Sequence, residues 1–401
     1  MSHSTPPWRQ LSCIVLLACF AQLAADLYAP SLPIIAQAFG TDIGQVQVSM
    51  AIYMAALAIS QLVYGPLSDM LGRRRVLTWG CLIAMGGSVL AALVHSLDML
   101  LLARLIQGLG AGACACIWRA VFRDLFTGEA LSKYASYLVV LIMFIMPAAP
   151  LLGSYLTHYV GWQANFGFLL GYAIVALIVL RVSFVESQSG MHRQPLAWSG
   201  LWQGYRQLLQ HRQFITMSAI TFLCYGAYFS WFSIGPVLLP TRLGASPLFF
   251  GWLTGVGGGA CYGLAAWFNG RWVGRLGLQR MLQLAMGLML TAAITLSIGW
   301  QFVAPSLITL IPPLLLFWFG AALIWPNANA LAFSSVGHIA GSAAALYGAL
   351  QLGGAACITQ LASLLPHDQL WPLAMLMWLA PLLSMLIFQR AAGKRLASTP
   401  C

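Results

Sequence analysis

Charged residues are the first thing that this sequence lacks. Only 7% of its 401 residues are Asp, Glu, Lys or Arg, whereas 60% are hydrophobic and the mean hydropathy is +0.84. Soluble domains carry about 25% charged residues, and a chain with so few could not cover a surface that faces water. The composition therefore excludes a soluble globular protein and predicts a protein embedded in lipid.

Negative charge is scarcer still, with 8 acidic residues against 19 Lys and Arg and a net charge of +11. A basic chain raises the possibility of nucleic acid binding, but the apolar background argues against that partner. In a membrane protein, positive charge usually reports which loops face the cytoplasm. We therefore expect no nucleic acid partner.

The residue patterns of metal sites and hydrolytic active sites are also missing. The sequence has no C-x-x-C pair and its 7 histidines are scattered, so we expect no metal and no cofactor. Most of the 9 cysteines lie in apolar runs, where they act as small packing residues. No H-E-x-x-H, Ser-His-Asp arrangement or cluster of carboxylates is present, which argues against an enzyme. The sequence also has no ring of like charges, which argues against a channel.

Long apolar runs are what the sequence does have. A helix needs about 20 apolar residues to cross a bilayer, and turn signals and charges divide the chain into twelve such helices. The predicted bounds are 11–38, 46–67, 76–95, 99–121, 133–157, 163–184, 213–239, 248–269, 280–300, 304–332, 340–364 and 369–389. The first run continues past Asp26 to about Phe39, so we interpret it as a span and not as a cleaved signal peptide. The sequence predicts an all-α membrane protein.

The distribution of Lys and Arg predicts the orientation of the helices. With the N-terminus inside, all but two of the 19 basic residues fall on the cytoplasmic side. The exceptions are Arg242 in an outer loop and Arg104 within a span. Such a bias places both termini in the cytoplasm.

A degraded internal repeat divides the chain into two sets of six helices. The loop Gly65–Arg75, with sequence GPLSDMLGRRR, realigns at an offset of 205 as Gly270–Arg280, GRWVGRLGLQR. The acid Asp69 of the first copy is matched by Gly274 in the second. We predict an N-terminal bundle over 1–184, a cytoplasmic connection over 185–212 and a C-terminal bundle over 213–401.

These features together resemble the major facilitator superfamily. The GPLSDMLGRRR loop follows the second helix, LLARLIQGLGAGA in helix 4 resembles the R-x-x-Q-G motif, and DLYAPSLP in helix 1 is similar to the D-x-x-x-P-x-x-P pattern of drug:proton antiporters. The segments WRAVFRDLF and AGSAAALYGALQ narrow the resemblance to Bcr/CflA-like exporters. The family implies two pseudo-symmetric six-helix bundles that move about a shared cavity.

The resemblance implies two motifs that act in the movement of the bundles. The loop after helix 2 would form a charge network that closes the cytoplasmic face, although the same residues could serve only as a topological anchor. Its residues are Gly65, Asp69, Gly72, Arg73 and Arg74. Helix 5 carries a loose version of the antiporter motif, with Ala149 where a glycine is usual before the proline. Its residues are Pro147, Pro150 and Gly153.

Two ionisable residues lie within predicted spans and are functional candidates because charge is costly in the membrane. Asp26 lies about 22 Å along helix 1 and Arg104 about 8 Å along helix 4, which runs the other way. In a core about 30 Å thick these depths coincide. We expect Asp26 to be the proton site and Arg104 to adjust its proton affinity, while a static ion pair is the alternative.

Polar and aromatic residues of helices 1, 7 and 10 are candidates for the substrate cavity. Tyr225, Phe229 and Phe232 share one face of helix 7, Gln22 lies one turn before Asp26, and the asparagines of helix 10 could bind substrate or bridge helices. The candidates are Gln22, Tyr28, Tyr225, Phe229, Phe232, Asn327 and Asn329.

The resemblance implies a proton-coupled antiporter that exports small organic compounds, possibly cationic ones, across the bacterial inner membrane by alternating access. We expect a monomer whose partners are protons, a small-molecule substrate and the lipid bilayer. The alternatives are a dedicated exporter of one metabolite, such as a nucleoside or siderophore, and a proton-coupled uptake symporter.

Overall fold

The computed structural model of the chain describes residues 7–125, 148–184, 186, 198–303, 305–334, 336, 339–366 and 368–396, and over these ranges it contains helices and no strand. The helices are α1 (Pro7–Asp26), α2 (Leu32–Phe39), α3 (Ile43–Leu71), α4 (Arg73–Ala92), α5 (Leu97–Leu125), α6 (148–159), α7 (Gln163–Ser183), α8 (Trp198–Gln210), α9 (Arg212–Leu243), α10 (Pro247–Trp252), α11 (Gly258–Phe302), α12 (Leu307–Phe333), α13 (Ala340–Ser363) and α14 (Trp371–Leu396).

Most predicted spans agree with these helices, but the first span is not continuous. Helix α1 ends at Asp26, a 3₁₀ turn follows at Ala29–Ser31, and α2 begins at Leu32. Pro30 and Pro33 lie at this junction and supply no N–H for a helical hydrogen bond. The predicted span over 11–38 agrees with one apolar segment, Gln10–Phe39, but that segment is not one continuous helix, and Asp26 lies at a helix end.

Spans eight and nine follow each other without a loop. The described residues contain 10 segments apolar and long enough to cross a membrane, and one of these, Pro247–Phe302, is 56 residues long. Gly277 interrupts it with a φ of 77°, so the segment holds two of the predicted spans. Only 148–157 of the fifth predicted span, 133–157, lies within the described residues.

The repeat seen in the sequence has a counterpart in the backbone. Gly72 has φ 96° and ψ 143°, and Gly277, its partner at the offset of 205, has φ 77° and ψ 157°. Positive φ is readily adopted by glycine, which has no Cβ. The same turn therefore joins the second and third spans of each half, although Asp69 is missing from the second copy.

The N-terminal half (residues before 185) and the C-terminal half (residues after 211) meet closely at one end of the bundle. Gln47, near the start of α3, donates through Nε2 to the carbonyl oxygen of Ser233 in α9 at 2.9 Å. A Cβ on Gly251 of α10 would overlap Ser154 of α6. We call this end the closed end, and the opposite end, which carries residues 65–75, the motif end.

Helix α8 lies in the predicted connection and packs against the motif end. The Tyr205 hydroxyl donates to the carbonyl oxygen of Leu62 in α3 at 3.0 Å. Burial raises the pKa of Tyr205 to about 12, so the hydroxyl stays protonated and can donate at neutral pH. The connection is thereby attached to the N-terminal half, while α8 also packs against α9 and α13.

Candidate functional site

Asp26 is a buried carboxyl with a single recorded hydrogen bond. It is the last residue of α1 and its side chain is 5% exposed. Gln22, one turn earlier, donates from Nε2 to Asp26 Oδ2 at 2.9 Å, while Oδ1 has no partner among the described residues. A buried carboxylate with an unsatisfied oxygen carries a free-energy cost, and binding a proton would remove that cost.

Gln22 connects this carboxyl to the C-terminal half. Its Oε1 accepts a hydrogen bond from the Tyr225 hydroxyl at 3.2 Å. Tyr225 belongs to α9, so the path from Asp26 to Tyr225 crosses between the halves through one amide. An amide can accept at its oxygen and donate at its nitrogen, and here it does both at once.

Arg104 lies beside the same end of α1 but forms no ion pair with Asp26 within 4 Å in the described part of the chain. Its guanidinium carbon lies 4.3 Å from the ring centre of Tyr28 and 4.0 Å from that of Tyr53. Nη1 donates to the carbonyl oxygen of Ala24 at 3.0 Å and also to Gln107. Aromatic faces and the negative end of a helix dipole thus stabilise this cation.

A cavity of about 470 Å³ lies between the halves, on the motif-end side of Asp26. Gln22 and Tyr225 are part of its wall, so the path described above reaches the cavity surface. The other lining residues are Ala18, Ala21, Leu57, Gln61, Ala115, Trp118, Arg119, Tyr262, Trp325, Pro326, Asn329, Ala330, Gly348, Gln351 and Leu352. Several of them lie in the last third of α5 or α12, which places the cavity toward the motif end.

Of the seven residues predicted for the cavity, Gln22, Tyr225 and Asn329 line it. Phe229 and Phe232 do not, since they lie one and two turns further along α9 toward the closed end and stack on each other at 5.3 Å. Their burial, at 0% and 1% exposed, follows from the closure of that end.

Tyr28 and Asn327 also lie outside the cavity lining. The Tyr28 hydroxyl forms a 2.9 Å hydrogen bond with Ser49, and its ring supports Arg104. Asn327 donates to Asn269 Oδ1 at 2.7 Å and therefore bridges α12 to α11. Asn327 and Asn329 differ in role because two residues along a helix turn the side chain by about 200°.

Three aromatic residues of the lining were not predicted from the sequence, namely Trp118, Tyr262 and Trp325. The Trp325 ring lies 5.0 Å from that of Tyr262 and 5.4 Å from that of Tyr225. Across the cavity, the Arg119 guanidinium lies 4.7 Å from the Trp118 ring centre. Trp325 directly precedes Pro326 in the IWPNANAL segment and lies four residues before Asn329. Residues at that spacing share one face of a helix, so the sequence could have indicated that Trp325 faces the cavity with Asn329.

The loop motif forms a charge network with residues of the N-terminal half and with Glu186, at the start of the connection. Arg73 pairs with Asp69 at 2.5 Å and with Asp124 at 3.2 Å, and its Nη1 donates to Ser68 Oγ. Glu186 accepts from the backbone N–H groups of Arg73 and Arg74 at 3.0 and 3.2 Å. Gly65 packs against α5, where a Cβ would lie 3.4 Å from Cys116 Sγ.

None of the recorded contacts of Asp69 reaches the C-terminal half, and its side chain is 54% exposed. Closure of this face by Asp69 therefore stays a prediction for the opposite conformation.

The helix 5 motif lies at contacts with α1 and α10. A Cβ on Gly153 would overlap the carbonyl oxygen of Leu27, just past the end of α1, and the carbonyl oxygen of Pro150 lies against Gly251. Pro147 lies outside the described residues. The two described members thus allow α6 to approach the broken first span and the C-terminal half.

Comparison with known proteins agrees with this architecture. Residues 14–358 match the family model described as Major Facilitator Superfamily. The chain is similar to the partially occluded inward open structure of the xylose transporter XylE from E. coli, with a TM-score of 0.72 and 14% sequence identity. That alignment covers 95% of this chain and 96% of the transporter, and at such identity it shows the fold alone.

The curated relatives carry names that refer to drug resistance. A chloramphenicol resistance protein of Pseudomonas aeruginosa is 32% identical over 389 residues, covering 93% of this chain and 89% of the relative. Multidrug resistance protein D of Escherichia coli (strain K12) is 29% identical and covers 93% of both chains. A bicyclomycin resistance protein homolog of Haemophilus influenzae is 22% identical and covers 96% of both.

Proposed function

Since this chain belongs to the Major Facilitator Superfamily, a family of transporters and not of enzymes, we propose that it exports drug-like organic compounds in exchange for protons. The observation that carries the proposal is the hydrogen-bonded path from buried Asp26 through Gln22 to Tyr225 at the cavity wall. The resistance proteins among its relatives support small organic compounds as the substrate class.

The lining of the cavity favours uncharged aromatic compounds with hydrogen-bonding groups. Its aromatic walls include Trp118, Tyr225 and Trp325, which can stack on rings. Among the residues in its lining, Arg119 is the charged one, so a cationic substrate would meet a like charge. Asp26 lies behind Gln22 and is not part of the lining, so the case for a cationic substrate is weaker than the sequence suggested.

Proton and substrate would compete through the amide of Gln22. With Asp26 ionised, the Gln22 N–H group is held by the carboxylate and its oxygen by Tyr225. A proton on Asp26 removes the charge that holds the N–H group, and the amide can then turn toward a ligand in the cavity. Uptake of the proton from the closed end and release at the motif end would drive export, with both termini in the cytoplasm.

Transport by the purified protein in sealed vesicles tests this proposal. Asp26→Asn cannot bind or release a proton, so we expect an imposed pH difference to drive no accumulation of chloramphenicol, while exchange of labelled for unlabelled compound continues. Asp98→Asn, an exposed acid at the start of α5, is the matched control and should transport like the wild type.

Three outcomes would contradict the proposal. If Asp26→Asn kept its response to the pH difference, Asp26 would not be the proton site. If a broad panel of uncharged aromatic compounds gave no transport while a single metabolite did, the protein would be a dedicated exporter. Accumulation in the direction of proton flow would instead indicate an uptake symporter.

A further inference from the structure

A second hollow, of about 280 Å³, lies at the motif end on the outside of the N-terminal half. It is separate from the cavity and is lined by residues of α4 and of the end of α7. These residues are Arg74, Arg75, Thr78, Trp79 and Arg181. Three guanidinium groups in so small a space, in a chain with 7% charged residues, call for a negative partner.

The positive charge of this hollow is not neutralised within its lining, which contains no carboxylate. Arg74 uses one donor on the carbonyl oxygen of Arg181 at 2.6 Å, which joins α4 to α7. Glu186, the nearby acid, binds the backbone N–H groups at the start of α4. Arginine presents several N–H donors in a planar fork that matches the oxygens of a phosphate group.

The surroundings of the hollow are those of a lipid headgroup. Trp79 is 46% exposed and lies six residues after Arg73, about 9 Å into the helix. Tryptophan is enriched at this level of a membrane, where headgroups meet hydrocarbon. Beyond it, the packed helices α4 and α7 expose apolar side chains to the lipid, namely Leu82, Ile83, Val175 and Ile178.

We propose that this hollow binds the phosphate group of an anionic phospholipid, whose acyl chains lie along α4 and α7. The guanidinium groups of Arg75 and Arg181 bind the phosphate oxygens, and the Trp79 indole packs against the glycerol region. The Thr78 hydroxyl donates to the carbonyl oxygen of Arg74 at 2.8 Å and shapes the floor of the hollow. This site does not depend on which compound the protein transports.

Native mass spectrometry of the full chain in detergent, titrated with phosphatidylglycerol or with phosphatidylcholine of the same acyl chains, tests the proposal. We expect the wild type to retain phosphatidylglycerol in preference to phosphatidylcholine. Arg75→Gln and Arg181→Gln should each weaken that binding about fivefold and together about thirtyfold, because each basic residue contributes a similar electrostatic free energy near anionic lipid.

The repeat supplies the matched control. Arg280 aligns with Arg75 at the offset of 205 and is exposed, so Arg280→Gln changes the net charge equally and should leave lipid binding unchanged. An equal loss in Arg280→Gln and Arg75→Gln would mean general charge attraction and would overturn the site. Displacement of the lipid by millimolar inorganic phosphate would identify a free-phosphate site and would overturn the lipid assignment.

Folding of each variant is checked by its thermal unfolding in detergent. If the double variant does not fold, Arg181→Gln alone decides the question, because it leaves the loop motif intact. Lipid selectivity equal to that of the wild type in Arg181→Gln would overturn the proposal.

Discussion

At the scale of single residues, the buried charges of Asp26 and Arg104 are stabilised in different ways. Arg104 has aromatic faces on both sides and a helix carbonyl at 3.0 Å, so its charge is held without a carboxylate. Asp26 has one recorded hydrogen bond and one oxygen without a partner among the described residues. Two Arg104 nitrogens, Nε and Nη2, also have no partner among the described residues, but arginine keeps its proton in proteins, so Asp26 is the group whose charge can change.

The hydroxyl of Tyr225 gives a prediction at this scale. Tyr225→Phe keeps the ring in the cavity wall but removes the donor to Gln22 Oε1. Loss of one such hydrogen bond is worth about 0.5–1.5 kcal/mol, so we expect transport driven by a pH difference to fall about two- to tenfold. Exchange without a pH difference should change less, and a parallel loss of both activities would contradict the proposed role.

Tyr228→Phe is the control for that variant. Tyr228 lies one helical turn after Tyr225, and the ring of each tyrosine is 5.4 Å from the ring of Trp325. Among the described residues, Tyr228 forms no hydrogen bond with Gln22. Tyr228→Phe removes one hydroxyl from the same aromatic cluster and should leave proton coupling as in the wild type.

At the scale of secondary-structure elements, interruptions of helices position the site. The break after α1 ends the helix at Asp26 and turns the chain toward α6. Glycine in α6 then allows the backbone of that helix to approach Leu27 directly.

Gly153→Ala tests this close approach. A Cβ there would overlap the carbonyl oxygen of Leu27, which belongs to the backbone and cannot rotate away. Overpacking of this kind costs about 1–3 kcal/mol, so the thermal unfolding temperature in detergent should fall.

The matched control is Gly167→Ala in α7, where a Cβ would meet nothing within 4 Å. Alanine favours a helix over glycine by about 1 kcal/mol, so this variant should be at least as stable as the wild type. An equal decrease in both variants would show that the approach of α6 to Leu27 is not tight.

At the scale of the whole molecule, the halves are closed at one end and separated by the cavity at the other. The hydrogen bond from Gln47 to Ser233 and the contact of Gly251 with α6 hold the closed end. The loop motif, by contrast, makes its recorded ion pairs inside its own half. In the proposed mechanism of alternating access, this arrangement is one of two states, and the other would open the closed end.

Gln47→Ala tests the balance between those two states. Removal of one hydrogen bond at the closed end should shift the equilibrium toward opening there by about two- to tenfold. Hydrogen–deuterium exchange should become faster at the start of α3 and in the second half of α9. Gln45→Ala, two residues earlier on an exposed position, should leave exchange unchanged, and equal effects of the two variants would contradict the prediction.

Much of the fold was predictable because membrane insertion is governed by local composition. Apolar length determined the spans, the offset of 205 located both positive-φ glycines, and Asp26 stood out as an acid within a span. The break after Asp26 was not predicted, because the length of an apolar run does not show where prolines remove the hydrogen bonds of a helix.

By itself, the sequence determined which segments span the membrane, that the chain repeats, and which family it belongs to, because these depend on the type and spacing of nearby residues. Only the tertiary structure decided that Arg104 is held by aromatic rings instead of Asp26, that Gln22 joins Asp26 to Tyr225, and that Asn329 but not Asn327 faces the cavity. These outcomes depend on helix rotation and on contacts between residues up to 203 positions apart. Local pattern carries no information on either.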